Sequence, residues 1–89
     1  MIDANKTRQV AEYWDGKGLL SGMVMEEAAE LIQAINKFDR KGTEETRQGV
    51  IEEIGDLLLI LDGYTQFIGI SKEELEQRVE YKLSLKKEN

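Results

Sequence analysis

The 89-residue chain carries 12 basic and 18 acidic residues, and it has no histidine, cysteine or proline. Missing those residues, it has no disulfide framework, thiolate nucleophile, histidine general base, Cys- or His-ligated zinc, or Glu-x-x-His di-iron site. A net charge of −6 argues against nucleic-acid polymers and anionic membranes as partners, and no apolar run approaches the ~18 residues of a membrane span.

The length fits one domain, expected over residues 1–89. Such a domain buries only about 60–65% of its unfolded surface, so a hard metal, a second chain or both are expected to stabilise it. Residues 1–8 are polar, unlike a signal peptide, which predicts a soluble cytoplasmic protein.

The periodicity is helical throughout, with no alternating strand pattern. Helix 1 is predicted from Asp3, its N-cap, to Trp14, with Trp14 packing it onto the remaining helices. A glycine-rich connection follows over Asp15–Gly22. Helix 2 is predicted from Leu20 or Met23 to Arg40, with Lys37, Arg40 and Lys41 against its negative pole and Gly42 as its stop. Thr43 caps helix 3, which runs to about Phe67 through Gly49, Gly55 and Gly63; their small size would permit close helix contact. Ser71 and Glu74 form a capping box for helix 4, ending near Lys87. Short joints between four helices predict an all-α, four-helix antiparallel bundle. Helices 2 and 3 are strongly apolar on one side and the other two weakly so, so completion by dimerisation is expected, with helices 2 and 3 of two chains pooled in one core.

The chemistry lies on helices 2 and 3. With Glu53 at zero on a helical wheel, Leu57 falls at about 40°, Ile60 at about 340° and Tyr64 at about 20°. Glu53 therefore points along an apolar stripe of Val50, Ile54, Leu57, Ile60, Leu61, Tyr64 and Ile68. With Glu27 at zero, Leu31, Ala34 and Phe38 take the same phases. Each helix thus carries an acidic i, i+3 pair in one register: Glu27 and Glu30, Glu53 and Asp56. Two like charges ~4 Å apart repel by about 4 kcal/mol at an effective dielectric near 20. Carboxylates on buried faces need a neutralising cation unless they pair at the bundle edge with Lys37, Arg47 or Lys82. Oxygen-only ligands point to Mg2+, Mn2+ or Ca2+, and Mg2+ accepts substrate phosphates as further ligands.

The segments MEEAAELIQAINK (25–37), VIEEIGDLLLILD (50–62) and GISKEELEQRVEYK (69–82) place EEAAE at 26–30 and EIGD at 53–56. This arrangement resembles the paired EExxE and ExxD motifs of the MazG-like nucleotide pyrophosphohydrolases, an all-α superfamily that includes dimeric dUTPases and phosphoribosyl-ATP pyrophosphatase. The resemblance spans roughly residues 20–83. It implies Mg2+ ligation by Glu27, Glu30, Glu53 and Asp56, with Glu26 behind them or assisting a water. It also implies hydrolysis of a nucleoside triphosphate between its α and β phosphates, in cleaning of the nucleotide pool. Glu26, Glu27 and Glu30 are alternative proton acceptors. Lys82 resembles the basic residue of the family's last helix, and Lys37 is a second candidate for the phosphates. A homodimer or dimer of dimers is expected. The competing expectation is a non-catalytic helical dimer that binds nucleotide or metal.

Overall fold

The computed structural model describes residues 2–87. They form four helices: α1 (Ala4–Gly16), α2 (Leu20–Lys41), α3 (Glu44–Phe67) and α4 (Lys72–Lys87). The described residues contain no strand, so the all-α expectation holds.

The helix ends follow from local chemistry. Asp3 accepts hydrogen bonds from the backbone N–H groups of Asn5 and Lys6 at 3.0 and 3.2 Å, satisfying two of the orphan donors of α1. Gly42 ends α2 at φ +60°, where its N–H donates to the Phe38 carbonyl at 2.7 Å; only glycine enters this left-handed region without cost. Thr43 and Thr46 exchange hydroxyl-to-backbone bonds in a capping box that opens α3. Ser71 and Glu74 do the same for α4. The joint after α1 is shorter than the predicted Asp15–Gly22 connection. It comprises only residues 17–19, because Gly16 continues α1 and Gly22 lies within α2. The N–H of Leu19 donates to the Trp14 carbonyl at 2.9 Å, which makes the turn tight.

The helices α2 and α3 pack along each other, and α1 lies across both, mainly on α3. Ala11, Leu20 and Ile60 are the buried apolar centre, surrounded by Val10, Trp14, Met23, Val24, Leu57 and Tyr64. Trp14 thus does pack α1 onto the bundle. Gly63 is where α3 touches α1. A Cβ built there would run into the Thr7 carbonyl oxygen and stand 3.0 Å from the Ala11 Cβ, whereas Gly49 and Gly55 face open space. Beside it, the Thr7 hydroxyl bonds Asp62, and the Gln66 amide reaches the Asp62 carboxylate and the Ala4 carbonyl at 3.1 and 2.9 Å. A polar clasp therefore closes the rim of the same contact.

Two features depart from the predicted bundle. The α3 stripe divides: Leu57, Ile60 and Tyr64 face the core, while Ile54 and Ile68 are exposed. A 24-residue helix with apolar residues over much of its circumference cannot bury all of them against two neighbours. Helix α4 makes no packing contact with α1, α2 or α3, so the bundle is not closed within one chain.

Replacement of Gly63 by alanine is expected to push α1 off α3 and destabilise the fold by about 1–3 kcal/mol, read as a lower urea midpoint. Gly55→Ala, at an open helical position, should leave the midpoint unchanged or raise it.

Candidate metal centre

Helix periodicity brings three of the four predicted acids together. Glu27 and Glu30, separated by three residues, share one face of α2, and Glu53 meets them from α3. One carboxylate oxygen from each of the three lies within 4.8 Å of the other two. All three side chains are partly buried. Oε2 of Glu27 and Oε1 of Glu53 are fully covered and have no hydrogen-bond partner. Edge pairing with a base does not occur: the one ion pair among the described residues is Arg47 with Glu44, at 3.4 Å on the surface.

Burial pushes the Glu27 carboxyl above its ordinary value, and the charges of Glu30, Asp56 and Glu26 push it further. Glu53 is also raised, first by burial, then by the neighbouring carboxylate of Glu30, then by Asp56 and Glu27. Each cause favours the neutral acid, and a cation among these oxygens would reverse that preference. Two covered carboxylate oxygens without donors therefore fit a hard divalent ion, and an oxygen-only set suits Mg2+, Mn2+ or Ca2+.

Two clefts flank the cluster. One, of about 500 Å3, opens toward the α2–α3 turn and is lined by Glu30, Glu53, Gln33, Lys37, Thr46 and Gly49, among others. The second, of about 170 Å3, lies under α1, where Glu27 and Asp56 meet Trp14, Val10 and Met23. Asp56 and Glu26 are exposed. Asp56 stands outside the three-carboxylate group, close enough for its charge to act on Glu27 and Glu53. Lys37 lines the larger cleft, and Lys82 lines neither. Thr46 and Gly49 line the larger cleft without having been predicted as site residues. Their i−7 and i−4 offsets from Glu53 put them on its face of α3, which is the signal that would have found them.

An all-α protein with a partly buried carboxylate cluster between two long helices is the class that fold and site define. The chain belongs to the MazG family: the model of the MazG nucleotide pyrophosphohydrolase domain matches residues 17–88. Nucleotide pyrophosphohydrolysis is the activity of that family in general, and its enzymes are generally dependent on divalent metal. No curated protein and no solved structure matches the chain. No helix among the described residues is long and apolar enough to cross a membrane.

Because Glu27 and Glu53 hold protons more tightly folded than unfolded, folding takes up protons, and their contribution to stability falls as pH rises from the ordinary value of 4.5 through the raised values. In chelator at neutral pH, Glu53→Gln is therefore expected to unfold at higher urea than the parent, with the difference closing toward pH 4.5. Added Mg2+ should raise the melting temperature of the parent and not that of the variant.

Proposed function

We propose that the chain is a Mg2+-dependent nucleoside triphosphate pyrophosphohydrolase. It cleaves the anhydride between the α and β phosphates to give a nucleoside monophosphate and pyrophosphate, and cleans the cytoplasmic nucleotide pool. The observation that carries this reading is the pair of covered, donorless oxygens on Glu27 and Glu53 with Glu30 beside them. In a protein of this family, such oxygens fit a cation that also engages phosphates.

Glu27, Glu30 and Glu53 would hold the ion, with Asp56 completing the set from the rim of the α1 cleft. When bound, Mg2+ or Mn2+ supplies Lewis acidity at the phosphate oxygens and offsets their charge. The protein's own residues do the rest. Lys37, at the edge of the larger cleft, orients the phosphate chain, and Lys82 is assigned to the same task. A carboxylate of Glu26, Glu27 or Glu30 takes a proton from the attacking water. The water oxygen joins phosphorus in line, the bridging P–O bond breaks, and pyrophosphate leaves. The half-buried walls around Trp14 and Met23 limit bulk water near the reacting groups.

The assembly is read as a homodimer, or a dimer of dimers. Met25 and Ile32 on α2 are 66% and 68% exposed, and Ile35, Ile51, Ile54 and Leu58 are also open. These open apolar residues support that reading, because a partner surface would cover them.

A panel of nucleoside triphosphates with Mg2+ is expected to release pyrophosphate, with Glu53→Gln or Asp56→Asn lowering the rate about a hundredfold or more. Saturable nucleotide binding without turnover would instead identify a non-catalytic module. Light scattering should give at least twice the chain mass, and Ile32→Glu combined with Ile54→Lys should reduce it to that of one chain.

A further inference from the structure

We propose a second activity at the same carboxylates: hydrolysis of nucleoside diphosphate sugars, with the departing sugar phosphate lying in the larger cleft and its hydroxyls held by Gln33 and Glu45. This rests on the α–β cleavage proposed above and adds a leaving group to it. The water oxygen joins the α phosphorus, and the bond from that phosphorus to the bridging oxygen breaks. The bridging oxygen leaves on the sugar phosphate, and the water proton goes to Glu26, Glu27 or Glu30 as for a triphosphate.

The larger cleft has more room than pyrophosphate requires. At the ~30 Å3 that one water takes in the liquid, the nine non-hydrogen atoms of pyrophosphate occupy about 270 Å3, and the sixteen of a hexose phosphate about 480 Å3. The cleft measures about 500 Å3, within the range of small-molecule sites, whereas the cleft under α1 measures about 170 Å3. By helical rise it runs ~12 Å along α3, from Glu53 at the carboxylates to Glu45 near the turn.

The outer lining suits a polyol better than a further phosphate. Lys37 is the one cation among the residues that line this cleft, against the carboxylates of Glu30, Glu45 and Glu53. An ionised carboxylate accepts hydrogen bonds and donates none. Glu45 therefore repels a third phosphate at the outer end, while it accepts bonds from the hydroxyls of a sugar. Gln33, on α2, offers the same hydroxyls both a donor and an acceptor. With a sugar in the γ-phosphate position, Lys37 has one phosphate of the leaving group to balance in place of two.

Gly49 supplies the width. A Cβ built there meets nothing within 4 Å, so packing does not require a glycine, although glycine weakens a helix interior. Its bare backbone lets a bulky group lie against α3 between Glu53 and Glu45. The cleft also points away from the open apolar residues. With Glu27 at zero, Glu30, Gln33, Ala34 and Lys37 fall between about 240° and 340°, and the exposed Met25, Ile32 and Ile35 between about 80° and 160°. With Glu53 at zero, Glu45, Gly49 and Thr46 fall between about 280° and 20°, and the exposed Ile51, Ile54 and Leu58 between about 100° and 160°. A second copy seated on the apolar side leaves the cleft free for a ligand.

The test offers a panel of nucleoside diphosphate hexoses with Mg2+ and separates the products by chromatography. The parent is expected to release nucleoside monophosphate and hexose 1-phosphate. Glu45→Ala should raise KM for the sugar nucleotide about tenfold and lower it for a nucleoside triphosphate, because a hydroxyl acceptor and a repelling charge are both removed. Gly49→Leu fills the outer cleft. It should lower kcat/KM for the sugar nucleotide relative to that for the triphosphate about tenfold, with a urea midpoint no lower than that of the parent. Binding is read apart from turnover: calorimetry with a methylene-bridged nucleoside diphosphate hexose should give a Kd about tenfold weaker for Glu45→Ala than for the parent. Pyrophosphate release from triphosphates with no hexose phosphate from any sugar nucleotide overturns the proposal and leaves the pyrophosphohydrolase reading intact. Hexose phosphate release with KM, the kcat/KM ratio and Kd unmoved by the variants overturns the assignment to this cleft. A parent that releases neither product sinks both readings.

Discussion

The fold is organised around an electrostatic conflict. Glu27, Glu30 and Glu53 present oxygens within 4.8 Å of one another, at a helix interface where two of those oxygens find no donor. Like charges at such range repel, and partial burial strengthens the repulsion by excluding water. Left to themselves, the groups respond by holding protons, which is the direction in which Glu27 and Glu53 are displaced. A purely structural helix pair would have no reason to keep this arrangement, because an apolar residue at either position would pack better. The cluster is a cost to the fold that a divalent ion held among these oxygens would offset.

The remaining contacts hold the two helices in the register that the cluster needs. Glu53 lies on the same face of α3 as Leu57, Ile60 and Tyr64, and those residues pack toward Ala11, Trp14 and Leu20. Any rotation of α3 that moved Glu53 away would also expose Ile60. The α1 contact opposes such a rotation: Gly63 allows the Thr7 backbone to come close, and the Asp62–Thr7–Gln66 bonds tie the rim. The buried apolar centre is small, so this clasp and the cluster carry a larger share of the helix geometry than they would in a bigger domain.

Much of this was legible in the sequence because it depends on local rules. The Asp3 cap, the Gly42 stop, the Thr43 start and the Ser71–Glu74 box are short-range chemistry, and each forms as read. The phase of Glu27 and Glu53 is a matter of 3.6-residue periodicity, and it placed three of the acids in one group. Periodicity did not separate the two apolar faces of α3. Ile54 belongs to the stripe by spacing, yet it is open because α1 and α2 occupy the other sides. Glycine composition likewise could not distinguish Gly63, which is a contact, from Gly49, which borders a cleft, or from Gly22, which simply continues α2. Those differences are tertiary.

The same tertiary accounting explains why apolar residues stay open on α2, α3 and α4. Met25 and Ile32 on α2, Ile54 and Leu58 on α3, and Leu75, Val79 and Leu83 on α4 are apolar residues left open by the three-helix packing. On α4, Leu75, Val79 and Leu83 recur at four-residue spacing and so form one ridge. Covering them buries apolar area that the chain alone cannot bury. A surface that covered these residues would therefore add stability that the three-helix packing does not supply.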